Sequence, residues 1–179
     1  MFIVNLLRSI VFAVAAAFLI FTQDHSVKTG ALALGFIAAT LSIAGALAMI
    51  LSKDKKIYRA LVIPTVSAFA VLVFLLSANN FQGLQNDETG LLFFRAAITV
   101  FTIGLAWTQF RLSAKADPGE RLELRISAAL AAIAALVFMA MPLNDVNAVG
   151  LLSAYLALSA AQRGVWLATP GKQVRNGKN

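Results

Sequence analysis

Apolar residues in this chain neither alternate nor gather on one helical stripe; they run almost unbroken in six stretches, about 2–22, 29–51, 58–77, 91–110, 122–141 and 147–168. A helix needs about 20 apolar residues to cross a hydrocarbon core, and each stretch is close to that length. Backbone N–H and C=O groups cannot stay unpaired in lipid, and alanine- and leucine-rich runs of this length satisfy them as helices rather than as barrel strands. The pattern predicts an all-α, polytopic membrane protein with six transmembrane helices arranged as three helical hairpins, at about 1–52, 53–111 and 121–168. Residues 1–168 form the bundle and 169–179 a basic cytoplasmic tail. Ala13-Val14-Ala15 resembles a signal cleavage site but lies inside the first apolar run, with more hydrophobic residues after it, so the run reads as an uncleaved span.

Basic residues set the orientation. Thirteen of the fifteen fall on one side of the six-span scheme: Arg8, Lys53, Lys55, Lys56, Arg59, Arg111, Lys115, Arg121, Arg125, Arg163, Lys172, Arg175 and Lys178. Only Lys28 and Arg95 fall on the other, beside Asp24, Asp87, Glu88 and Asp145. The positive-inside rule then places both termini in the cytoplasm. Tyr58, Trp107 and Trp166 stand at predicted inner helix ends, where amphipathic rings favour the interface. A net charge of +7 is accounted for by topology, so no nucleic-acid partner is expected.

Composition narrows the class further. With 60% hydrophobic and 13% charged residues, the chain is far from a soluble domain, which carries about 45–50% apolar and about 25% charged residues. The connections are short, except for the polar segment 79–90 on the outer side. Asp117, Pro118 and Glu120 in the inner segment after the fourth run have the spacing of a helix start, with a cap, a proline in the first turn and an acid three residues after the cap.

A repeat overlies the runs. Gly30, Gly90 and Gly150 stand at 60-residue intervals, each opening a second hairpin arm, and Lys28-Thr29-Gly30-Ala31-Leu32 echoes Glu88-Thr89-Gly90-Leu91-Leu92. A later glycine follows each, at Gly45, Gly104 and Gly164. Small residues four apart, Ala31, Gly35, Ala39 and Ser127, Ala131, Ala135, allow close helix approach. Candidate packing positions are therefore Gly30, Gly35, Gly45, Gly90, Gly104, Gly150 and Gly164.

An arginine near the start of each first arm, Arg8, Arg59 and Arg125, together with the Met141-Pro142 to Gly150 connection, Leu151-Leu152-Ser153-Ala154-Tyr155 and the late Gly164, resembles the HdeD-like family of bacterial acid-resistance membrane proteins. Departures are Ser9, Ala60 and Ile126, where the family has glycine after the arginine, and Pro142, which has no counterpart in the first two hairpins. The resemblance implies a small six-span plasma-membrane protein of bacteria with an envelope or stress-related role and no defined chemistry.

Candidate chemistry is sparse. The chain has no cysteine and one histidine, which excludes thiol catalysis, disulfides, iron–sulfur clusters and bis-histidine haem. No aspartate or glutamate is expected deep within a span, which argues against proton-coupled transport. Arg95, Arg8 and Arg163 lie a few residues inside their spans and are candidate lipid or anion contacts, with snorkelling to the headgroups as the simpler account. Mid-span hydroxyls at Thr99, Thr102, Ser153 and Tyr155 could line a path or bond helix to helix. No catalytic, cofactor-binding or metal-ligating residue is expected. The sequence points to a non-enzymatic membrane protein, stress-related or an accessory subunit, whose partners are lipids and other membrane subunits or copies of itself. The alternative is a small transporter or channel for a neutral or anionic solute. A lipid-acting enzyme at the outer surface would have to use Asp24, His25 and Arg95.

Overall fold

The computed structural model describes residues 2–51, 55–80, 88–114, 116 and 118–168, with side chains described outside 2–5, 55–60 and 78–80. Among the described residues there are six helices and no strand: α1 (Phe2–Phe21), α2 (Val27–Leu51), α3 (Lys55–Asn80), α4 (Glu88–Ser113), α5 (Pro118–Ala140) and α6 (Asp145–Ala168). Each sits on one of the six apolar runs, extended by up to a turn. The tail 169–179, the polar segment 81–87, the cap Asp117 and the side chains of Lys53, Lys55, Lys56, Tyr58 and Arg59 lie outside what is described.

Local signals explain where the helices begin. The Ser26 hydroxyl accepts the Thr29 amide at 3.3 Å, capping α2, and Asp24 accepts the Ser26 amide at 3.0 Å and the Thr29 hydroxyl at 2.7 Å. Asn144 does the same for α6, accepting the Asn147 amide at 2.8 Å. Both contacts satisfy donors that a helix N-terminus leaves open. Helix α5 starts at Pro118, a position whose amide needs no partner. Pro64 lies within α3.

Three helices, Val27–Leu51, Glu88–Ser113 and Pro118–Ala140, are long and apolar enough to cross a membrane, and Leu6–Phe21 and Leu61–Ser77 add shorter apolar stretches. Large apolar side chains cover the outside: Phe21 is 84% exposed, Leu51 80% and Val165 69%. A soluble monomer rarely presents apolar surface on this scale, so the chain has the character of a membrane protein.

The helices close into a ring whose tightest seams are not within the expected hairpins. Contact is most extensive between α4 and α5, α1 and α6, and α2 and α3, while α5 and α6, the arms of the third hairpin, touch sparingly. Beyond ring neighbours, α2, α4 and α6 also meet, each with the other two. The even-numbered helices therefore converge inside, with the odd ones set between them. Phe12, Phe94, Phe101, Ile98, Leu152 and Leu156, all without solvent exposure, fill the centre, and the Phe12 ring lies 6.3 Å from Phe101 and 6.4 Å from Tyr155.

Glycines separate into two kinds. A β-carbon on Gly30 would lie 2.5 Å from Phe94 Cζ, and one on Gly104 would lie 2.7 Å from Ser67 Oγ. One on Gly45 would collide with the Thr65 side chain. These three allow α2, α4 and their neighbours to approach. Gly35 meets only Leu75 at ordinary contact distance, and Gly150 and Gly164 face open space; Gly90 is buried.

Candidate functional site: a basic cluster at one end of the bundle

Polar groups collect where the N-terminal parts of α1 and α5 meet the C-terminal part of α6. Arg163, on α6, is 4% exposed, and Arg8, on α1, is half-buried with its Nε inside the protein and no hydrogen-bond partner among the described groups. The Arg8 guanidinium carbon stands 5.2 Å from the Phe12 ring centroid, a cation–π distance. Arg8, Arg163, Glu123 and Tyr155 interact through their charges and dipoles.

Neighbouring side chains hold this cluster in place. Ser9 donates to the Ala160 carbonyl at 3.1 Å, tying α1 to α6. Gln162 bridges to α5 twice, accepting from Ser127 Oγ at 3.1 Å and donating to the Glu123 carbonyl at 3.1 Å. Arg163 reaches Ser127 Oγ at 3.4 Å. Where α5 and α6 pack sparingly, these polar stitches replace apolar contact. Two guanidiniums and one carboxylate share the site among the described residues. Two neighbouring guanidiniums are chemically suited to hold a small anionic group.

Arg95, the third basic candidate, is committed elsewhere. Its Nε donates to the Phe138 carbonyl at 2.8 Å, and one terminal nitrogen donates to Met141 at 2.7 Å and Met139 at 3.3 Å. It caps the open carbonyls at the end of α5 and so clamps α4 to α5. Asp24 is bound into the α2 cap; hydrogen bonds from Thr29 and Ser26 hold its carboxyl below the ordinary value of 3.8. The polar groups of Asp24 and Arg95 thus serve separate helix ends. His25 is half-buried in the same connection as Asp24.

The mid-span hydroxyls mostly bond their own helices. Thr99 donates to the Arg95 carbonyl, Thr102 to Ile98 and Ser153 to Gly150, each at 2.7–2.8 Å. Glu123 and Gln162 belong to the basic cluster, although sequence reading singled out neither. The available signal was Gln162-Arg163 as adjacent polar residues inside an apolar run, and Glu123 one turn before Ser127. No group of three or more metal-binding side chains occurs among the described residues.

These features define a helical protein of membrane character with a largely buried basic cluster at one end. No protein family, curated protein or solved structure matches the chain.

Proposed function

We propose that the protein is a six-span, non-enzymatic plasma-membrane protein with both termini in the cytoplasm, acting as an accessory component that holds an anionic group at its inner end. The observation that carries this reading is the meeting of two arginines, buried Arg163 and half-buried Arg8, with Glu123 and Tyr155 where α1, α5 and α6 converge. A phosphate or carboxylate there would bridge Arg8 and Arg163 and so fasten α1 to α6. The aromatic filling of the centre and the self-bonded hydroxyls support a packed, non-conducting bundle. A bacterial, HdeD-like stress role belongs to the same proposal and rests on the residues from Met141 to Gly164.

Extraction in a mild detergent, sizing, and mass spectrometry of whatever travels with the chain test it. A stoichiometric protein or phosphate-bearing molecule retained by the wild type and lost from Arg8→Gln or Arg163→Gln supports the reading. Retention of nothing, or retention indifferent to both changes, overturns it.

Transport of an anionic solute is the second reading, favoured by the sparse α5–α6 seam beside the cluster. Reconstituted vesicles without flux for phosphate, carboxylates or halides would eliminate it.

A further inference from the structure

A groove of about 740 Å³ runs along the outside of the α4–α5 pair. Its volume is within the range of about 300–1,000 Å³ typical of small-molecule sites. Alanines at 128, 129 and 132 line the α5 side, and Ile103 and Trp107 line the α4 side. The furrow exists because α5 presents methyl groups where α4 presents long side chains. Arg95 clamps the two helices together at the far end, so α5 cannot separate from α4 there.

The groove is apolar along its length and basic at one end. Arg125 lines it and is exposed, and Arg121 precedes it by one helical turn. Arg121 is itself turned toward the Ala116 carbonyl at 3.2 Å, which leaves Arg125 as the basic side chain that lines the furrow. From Arg125 to Met139, which also lines it, α5 rises about 21 Å at 1.5 Å per residue. That exceeds half of a hydrocarbon core about 30 Å thick. Trp107, 55% exposed on the opposite wall, has the amphipathic character favoured at the membrane interface.

We propose that this groove is a binding site for one anionic phospholipid, an acyl chain lying along Ala128, Ala129 and Ala132 and the phosphate resting on Arg125. The proposal rests on the bundle being embedded in a bilayer. It does not depend on the inner arginine cluster. Charge complementarity selects the occupant: a second copy of this chain or a partner helix would fill the alanine furrow with apolar side chains and would give Arg125 no anion. A phospholipid of the adjacent leaflet supplies both the chain and the charge, in the order in which the groove presents them.

Trp107 makes the site self-reporting. The chain has two tryptophans, and Trp166 carries a buried Nε1 with no partner among the described groups, so Trp166→Phe removes the second fluorophore without breaking a hydrogen bond. This variant is reconstituted into phosphatidylcholine vesicles that contain a small fraction of brominated phosphatidylglycerol, or the same fraction of brominated phosphatidylcholine.

The expected result is an apparent preference of about fivefold for the anionic quencher, the size of one basic side chain's attraction to an anionic membrane. Arg125→Ala should reduce it to the bulk level, and Ala132→Phe, which fills the furrow, should weaken quenching by both lipids. Equal quenching by the two lipids, or an anionic preference unchanged in Arg125→Ala, overturns the proposal. So does a dimer on sizing whose Trp107 is indifferent to lipid. Failure of the protein to float with vesicles on a density gradient is a separate outcome, which refutes the membrane embedding itself.

Discussion

Gly30 and Gly150 are equivalent in the 60-residue repeat, yet replacing them with alanine should change stability in opposite directions. At Gly30 the new β-carbon would meet Phe94 Cζ at 2.5 Å and Val149 Cγ2 at 2.9 Å. Phe94 and Val149 are both wholly buried, and they belong to α4 and α6, so α2 would have to move away from both helices it meets at the centre. Overpacking of this kind costs about 1–3 kcal/mol, against at most about 1 kcal/mol gained from alanine's better helix propensity. The net expectation is a loss of about 1–2 kcal/mol. At Gly150 nothing lies within 4 Å of the new carbon, so only the propensity gain of roughly 0.5–1 kcal/mol remains. The propensity gain is common to both, so the two variants should differ by the overpacking cost of about 1–3 kcal/mol. For a chain of this length that is a separation in Tm of about 2–12 °C, at about 2–4 °C per kcal/mol. Thermal unfolding of both variants in the same detergent, followed by circular dichroism, measures it. Equal shifts, or Gly150→Ala proving the less stable, would show that the even-numbered helices do not converge at Gly30 as described.

Arg95→Ala should remove the clamp between α4 and the end of α5, costing about 1.5–3 kcal/mol for charge-assisted bonds to carbonyls. Hydrogen exchange should quicken at 138–143 more than in α2; Arg95→Lys should recover little, because a point charge cannot fork across three carbonyls. The Asp24 cap should respond to acid in one direction only. Its carboxyl titrates below 3.8 when folded, so its contribution is complete above that value and fades as pH falls through the lower folded value. Amide exchange at Ser26 and Thr29 should rise in that acid range in the wild type and be fast at every pH in Asp24→Ala; a wild-type cap that loosens between pH 5 and 7 would refute the assignment.

Much of the architecture was legible from the chain alone. Burial of a helical backbone in an apolar medium demands long unbroken apolar runs, and those runs mark all six helices to within about a turn. Pro118 marked the start of α5 for an equally local reason, since only a first-turn position spares its missing amide. Partner choice was not legible, because an apolar run of alanine and leucine carries no record of which neighbour it faces. Gly30 and Gly150 show this most clearly: identical in the repeat, they differ in whether Phe94 or open space lies opposite. Arg95 reads as a basic residue at an outer helix end, and its role as a clamp on the Phe138 and Met141 carbonyls appears only once α5 is brought alongside. The cluster of Arg8, Glu123, Gln162 and Arg163 likewise draws on three helices, with Arg8 more than a hundred residues from the other three side chains. Solvation and backbone pairing act on each segment by itself and are written in sequence; side-chain packing and charge balance act between segments, and tertiary structure alone decides them.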